Sequence, residues 1–193
     1  MKYSLLEMVQ ILLSALDSDE VNSITDSVES YQVALLLRSC FYDLAVELNL
    51  PEHDTLFELN ASGDNTKPTL MTIPSNVASV HKIMYDMKDS GDTYQDHVEV
   101  NYKPMDQFLP IVESLREETT NIGTMDITMN GEVFPFLYAS DKDPDYYTTA
   151  DDNQLIFDSY DSTVDTTLQK SKTLCFGKVY PTFTLANTFT PGS

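Results

Sequence analysis

The hydrophobic period of the chain changes near residue 50, and this change limits the fold more than any other feature. Before it, apolar residues recur at helical spacing, as at Leu5, Met8 and Val9. After Pro51, short apolar runs and alternating segments take over, which is typical of β-strands. The 193 residues therefore predict an α+β protein: an N-terminal helical hairpin, then a largely antiparallel β domain with one inserted helix.

Two helices account for the first 50 residues. The first is predicted over 5–16 and the second over about 27–48, where Pro51 prevents continuation. Asp26 with Glu29 three residues later resembles a capping box, and this pair predicts the start of the second helix. Its apolar residues form a wide stripe: Val33, Leu36, Leu37, Cys40, Phe41, Leu44 and Leu48. We expect the joined apolar face of the hairpin to need a partner.

Short strands and turns fill the region after residue 51. Strands are predicted near 56–59, 70–73, 80–87, 97–102 and 173–180, with a turn at 90–92 and a helix over 104–115. The strongest local signal is Asn130-Gly131 between alternating segments, which predicts a hairpin with a type I′ turn. Pro135 implies an edge position or a bulge in its second strand. Another hairpin is predicted to join 146–149 to 154–157.

Three segments follow from these patterns. They are a helical hairpin over 1–50, an antiparallel β-rich domain over 51–181 and an extended C-terminal segment over 182–193. No apolar run approaches the length of a membrane span, so we expect no membrane partner.

The charge of the chain is strongly negative. Eleven basic residues stand against 31 acidic ones, which gives a net charge of −20. Such a chain repels nucleic acid phosphates unless its cations are clustered, and here they are spread thinly along the sequence. We therefore expect no tight DNA binding, although DNA can pass a repelling surface.

Residues with catalytic or metal-binding potential do not form a recognisable motif. His53, His81 and His97 have no zinc-site spacing, and six glycines provide no phosphate-binding loop. Cys40 and Cys175 lie in apolar predicted elements, so we expect two buried thiols. The sequence predicts no catalytic residue, no metal site and no cofactor, and hence no enzyme.

Acidic clusters at 17–20, 141–145 and 158–165 invite comparison with calcium loops. The first has alternating carboxylates but lacks the glycine and the distal glutamate of such a loop. The third also lacks the required spacing of aspartates. We therefore interpret all three as turns and solvated connectors.

Tyrosines in the second half of the chain are candidate interface residues, because tyrosine combines apolar area with a polar tip. We single out Tyr146, Tyr147 and Tyr160. If 146–149 is a strand, one ring of the adjacent pair Tyr146-Tyr147 must point outward. The alternative is that these rings fill a β core.

Taken in order with several others, the segments 55–59 (Thr-Leu-Phe-Glu-Leu), 146–148 (Tyr-Tyr-Thr) and 157–172 resemble the tubular tail adaptor family of short-tailed bacteriophages, also called head–tail connectors. The most informative one is 157–172, a β-type segment followed by a turn rich in carboxylates and hydroxyls. The segments that carry the resemblance are 5–9, 18–24, 29–33, 55–59, 65–68, 146–148, 151–152 and 157–172. They touch most of the chain.

This resemblance implies a virion structural protein of the neck, assembled in the host cytoplasm. Such proteins form a ring, usually twelvefold, between the portal protein and the tail nozzle or tail tube, and DNA passes through without specific binding. Family members continue past a segment like 182–191 into C-terminal helices that dock on the portal. Here the chain stops at Ser193, so portal contacts are not carried over.

A different class of function also fits the charge. An acidic, monomeric binding module that mimics nucleic acid would carry a similar excess of carboxylates. A mimic should concentrate its carboxylates on one face, whereas here they lie mainly in predicted loops throughout the chain.

Overall fold

The computed structural model describes residues 2–48, 53–88, 93–118, 120–151 and 153–191. Its chain divides into two compact units, one of Met1–Asp54 with Tyr180–Ser193 and one of Thr55–Val179. The predicted α+β class is confirmed, because two helices precede a mostly antiparallel sheet with one inserted helix. Residues 182–193, treated above as a separate segment, belong to the first unit.

Helix α1 spans Leu5–Ala15, close to the predicted range. It begins with a capping box in which the Ser4 hydroxyl accepts the Glu7 N–H at 3.3 Å, while the Glu7 carboxylate accepts the Ser4 N–H at 2.7 Å. The Ser-x-x-Glu signature of this box is present at residues 4–7, whereas the helix was predicted from the spacing of its apolar residues. Leu5, Val9 and Leu13 form the buried face of α1.

Helix α2 spans Val28–Leu48, and the cap predicted for it is wrong. The carboxylate of Asp26 accepts two backbone N–H groups of the preceding turn at 2.7 and 2.8 Å, so it is not free to cap the helix. Ser27 and Ser30 replace it: each hydroxyl accepts the other residue's N–H, at 3.0 and 3.1 Å. The predicted end at Pro51 lies outside the described residues.

The core of the first unit joins both helices to the C-terminal segment. Its buried members are Leu5, Val9, Leu13, Val21, Ile24 and Ala34, with Phe183, Leu185 and Phe189 packed against them. The N–H groups of Leu5 and Leu6 at the start of α1 donate to the carbonyls of Phe189 (2.6 Å) and Asn187 (3.2 Å). These bonds satisfy donors that a helix N-terminus leaves without intrahelical partners.

In the described residues, the second unit contains an eight-stranded sheet, apart from Asp54 at the start of its first strand, which is counted in the first unit. Its strands are β1 Asp54–Phe57, β2 Asn60–Ala61, β3 Leu70–Thr72, β4 Val77–Asp86, β5 His97–Tyr102, β8 Tyr146–Thr149, β9 Gln154–Phe157 and β10 Thr173–Val179. Their order across the sheet is β1-β10-β4-β5-β8-β9-β3-β2. The β5–β8 pair is parallel, whereas β10–β4, β4–β5, β8–β9, β3–β9 and β2–β3 are antiparallel. The predicted turn at 90–92 lies outside the described residues.

A separate hairpin is formed by β6 (Ile122–Met129) and β7 (Glu132–Ala139). Asn130 and Gly131 have φ angles of 52° and 83°, as the predicted type I′ turn requires. Pro135 faces Asp126 across a regular ladder, in a sheet whose two strands are both edges. The expected edge position of Pro135 is therefore confirmed, and no bulge accompanies it.

Two apolar clusters hold the second unit together. One lies on the sheet and comprises Leu59, Met71, Ile83, Tyr85, Val100, Tyr147, Leu155, Phe157, Leu168 and Cys175. The other packs helix α3 (Met105–Ser114) against the β6–β7 hairpin and the strands β3 and β9, through Phe108, Val112, Met125, Ile127, Phe136, Leu70 and Ile156. The helix predicted over 104–115 is therefore present as α3, and it covers one side of the second cluster.

Candidate functional site

The segment 157–172 begins with a buried carboxylate. Asp158 is 2% exposed, and its Oδ1 accepts the backbone N–H groups of Asp145 and Tyr146 at 3.1 and 3.0 Å. The hydroxyl of Ser159 donates to the same atom at 3.3 Å. Burial raises the pKa of Asp158, and the two backbone hydrogen bonds partly offset that effect. The group therefore works as a clamp that ties the loop before β8 to the end of β9.

The same segment also contacts two other segments that carry the family resemblance. The Leu168 N–H donates to the carbonyl of Pro68 at 2.9 Å. The ammonium of Lys170 lies 4.0 Å from the carboxylate of Glu58. Segments that are far apart in sequence thus meet around 157–172, inside the second unit.

The three candidate interface tyrosines occupy different environments. Tyr147 is 8% exposed and its ring lies 5.5 Å from that of Tyr102 and 5.7 Å from that of Phe157, centroid to centroid. Burial raises its pKa to about 12. Tyr146 and Tyr160 are half-buried and keep part of their surface accessible. Tyr147 is thus a core ring, and the interface role of all three stays a prediction.

The cysteines differ from the expectation of two buried thiols. Cys175 is buried on β10, and burial raises its pKa to about 12, so this half of the expectation is confirmed. Cys40 is exposed on α2, so the other half is wrong. The most buried residues of α2 are small, Ser30, Ala34 and Ala45, and Val33 and Leu37 of the predicted stripe also pack against the core.

Other apolar side chains of α2 lie on the surface. Leu36 is 62% exposed and Leu44 is 51% exposed, with Cys40 between them at helical spacing. We call Leu36, Cys40 and Leu44 the α2 stripe. It is the structural counterpart of the apolar face that the sequence predicts to need a partner.

Side chains that could form a metal site are not assembled in the described ranges. No group of three or more His, Cys, Asp or Glu side chains there could hold a metal ion. Asp17 adopts a left-handed conformation (φ 55°) at the end of α1, and the carboxylate of Asp161 accepts the N–H and hydroxyl of Thr163 at 2.8 and 2.7 Å. These acidic residues shape turns, in keeping with the interpretation given above.

The eleven Lys and Arg residues are spread along the sequence. Ion pairs with carboxylates lie at Lys82, Arg116, Lys142, Lys170 and Lys172. The first unit has ten acidic residues against two basic ones, Lys2 and Arg38, a net charge of −8. Carboxylates therefore dominate the field around the molecule.

An open groove of about 830 Å³ lies along α1 and the turn after it. Its described lining residues are Tyr3, Glu7, Gln10, Ile11, Leu13, Ser14, Asp17, Ser18, Asp19 and Glu20. Because this lining pairs carboxylates with apolar side chains and includes neither Lys nor Arg, the groove disfavours phosphates and other anions.

No model of a known protein family matches the chain, and no curated protein matches it. Within the part of the chain that the structure describes, no helix is long and apolar enough to cross a membrane.

Proposed function

We propose that this protein is a virion structural protein that forms a ring, usually twelvefold, between the portal and the tail of a bacteriophage. The ring would line part of the channel through which DNA leaves the capsid. In this role the chain is not an enzyme, and its work is to bind copies of itself, the portal protein and the tail nozzle or tail tube.

Contacts among the resembling segments support the proposal most directly. Segments 55–59, 65–68 and 146–148 each bond to 157–172 through Lys170–Glu58, Leu168–Pro68 and the clamp at Asp158. In the first unit, Ser18 donates to the carboxylate of Glu29 at 2.7 Å, which joins two further segments. Segments that resemble the family only by their order in the sequence therefore contact one another within each unit. We expect such contacts if the chain has the fold of that family.

The charge supports a channel role. A conduit must not hold the DNA that passes through it, and a surface with net charge −20 repels phosphates. The same charge makes copies repel each other, so subunit contacts must be apolar or bridged by cations. Because the Debye length falls from about 10 Å at 0.1 M salt to about 3 Å at 1 M, ring assembly should strengthen with salt.

Sedimentation velocity with the full chain tests this proposal. At low salt we expect monomers with a minor ring fraction, and at about 1 M NaCl, where charges are screened within about 3 Å, a ring-sized species should dominate. Tyr146 is a candidate for the contact between subunits, so Tyr146→Ala should lower the fraction of chains assembled into the oligomer. Tyr94→Ala is the matched control, since Tyr94 is 83% exposed and lies outside the resembling segments.

Two results would overturn the proposal. A ring fraction that declines steadily as salt rises would mean that ion pairs hold the copies together. A monomer at every salt concentration would remove the ring and favour the acidic monomeric module that mimics nucleic acid.

A further inference from the structure

The α2 stripe is an apolar surface with a carboxylate at each end. Leu36, Cys40 and Leu44 follow one another at intervals of four residues, so they form one line along the exposed side of the helix. The line continues to Glu29 before it and to Glu47 after it, and both are exposed. At about 1.5 Å per residue, the two carboxylates are separated by roughly 27 Å.

Nearby charges strengthen this pattern. Asp43 is exposed beside the stripe, whereas Arg38 lies on the far side of α2, two residues or about 200° from Leu36. The carboxylate of Glu29 accepts the Ser18 hydroxyl at 2.7 Å, which holds it in place at one end. The surface is therefore apolar at its centre and negative at its ends and along one border.

We propose that the α2 stripe docks an amphipathic helix of a partner protein, whose leucine-type side chains cover the stripe and whose Lys or Arg residues lie at its two ends. A helix recognises such a surface through apolar anchors at i, i+4 and i+7 or i+8 spacing. This inference stands on the first unit alone and does not require the ring.

Other occupants fit the stripe less well. A second copy of α2 would place Glu29 beside Glu47 if antiparallel, or like residues beside each other if parallel, and like charges in register are unfavourable. The segment 183–189 of the same chain already packs against the core of the first unit. Nucleic acid is repelled by the net charge of −8 in this unit. A basic partner helix is the occupant that the charges favour.

The exposed thiol of Cys40 provides the test. Maleimide should label Cys40 in the folded full chain, while Cys175, which is 0% exposed and whose pKa burial raises to about 12, stays unlabelled as an internal control. The probe is a synthetic helical peptide of about 20 residues, long enough to span both carboxylates, with leucines at four-residue intervals and lysines at each end. Two control peptides are used: one with glutamates for the lysines, and one with the same composition but scattered leucines.

The basic amphipathic peptide should slow Cys40 labelling by a factor of 1 + [peptide]/Kd, which is about tenfold at ten times Kd. Neither control peptide should slow the labelling of Cys40. Leu36→Ser should abolish the protection, and Tyr31→Ser, on the opposite side of α2, should leave it unchanged. Glu47→Lys should weaken binding of the basic peptide, and this loss should shrink as salt rises.

Three results would overturn the proposal. If the basic peptide does not slow Cys40 labelling, the stripe does not bind such a helix. If the peptide with scattered leucines slows labelling equally, charge alone accounts for the binding. Protection that appears without peptide and grows with protein concentration would assign the stripe to a second copy of the chain. Matching thermal unfolding curves for Leu36→Ser and Tyr31→Ser show that lost protection is not lost folding, as expected for exposed positions.

Discussion

Replacing Asp158 by alanine should sharply destabilise the second unit. Oδ1 of this buried carboxylate accepts the N–H groups of Asp145 and Tyr146, and alanine would leave both donors without an acceptor. Both hydrogen bonds are only partly buried, so water can replace the lost acceptor in part; at the usual net value of about 0.5–1.5 kcal/mol for each bond, the two together contribute about 1–3 kcal/mol. Each kcal/mol lowers the melting temperature of a chain of this size by about 2–4 °C.

Asp158→Asn is the matched control, because an amide keeps an acceptor oxygen where Oδ1 stands. At neutral pH this variant should lose less than about 1 kcal/mol, since both backbone donors stay bonded. Urea unfolding followed by tyrosine fluorescence measures both variants against the native chain. Equal losses for the alanine and asparagine variants, or an alanine variant as stable as the native chain, would refute the clamp.

The pH dependence gives an independent check on Asp158. Burial raises its pKa in the folded state above the ordinary value for aspartate, so the folded state binds a proton more tightly than the unfolded state does. The stability that this proton contributes is complete below the unfolded pKa and is lost as pH rises through the folded pKa. Asparagine does not titrate, so Asp158→Asn should gain stability relative to the native chain as pH rises through that window.

Three further predictions concern other positions. Gly177→Ala should cost about 1–3 kcal/mol, because a Cβ there would overlap the carbonyl oxygen of Ser79 on the paired strand; the free energy of unfolding measures this, and a neutral effect would contradict the close approach. Ser27→Ala should lower the free energy of unfolding by about 1 kcal/mol, because the Ser27 hydroxyl caps α2. Asp26→Ala should leave the helix content unchanged by circular dichroism, although the sequence assigned the cap to Asp26. The thiol of Cys175 should react with a disulfide reagent at pH 8 only in denaturant, because burial raises its pKa to about 12; reaction in the folded protein would contradict its burial.

Local patterns predicted the elements of this fold well. The change of period near residue 50 separated helices from strands, and Asn130-Gly131 defined its hairpin because two adjacent positive φ angles are required there. The caps were harder to assign. Asp26 is a good N-cap by type, yet its carboxylate serves the turn before it, and Ser27 takes the cap.

Long-range pairing was not predictable from local signals. Nothing in 97–102 or 146–149 marks these strands as parallel neighbours, because β5–β8 pairing depends on the path of the chain between them. Periodicity also left open which of Tyr146 and Tyr147 faces outward, and the structure buries Tyr147. Alternation along a strand gives two faces without saying which face meets the core.

The candidate docking surface shows a similar limit. Leu36, Cys40 and Leu44 belonged to a stripe too wide for one neighbour to cover, and small residues on another side of α2, such as Ala34, took the inner position. Val33 and Leu37 of the same stripe do pack against the core, so the position around the helix separates the buried members of the stripe from the exposed ones. The hydrophobic pattern therefore predicted that these three residues share an apolar face, but it did not predict whether that face is buried.

The contact between segment 183–189 and α1 also has a consequence during translation. The second unit, Thr55–Val179, is inserted into the first, so helices α1 and α2 leave the ribosome about 150 residues before the residues that complete their core. At about 5–20 residues per second, they wait roughly 8–30 s with that apolar surface uncovered. The inserted unit is complete before then, so a nascent chain should acquire protease resistance in its middle first and at its beginning last.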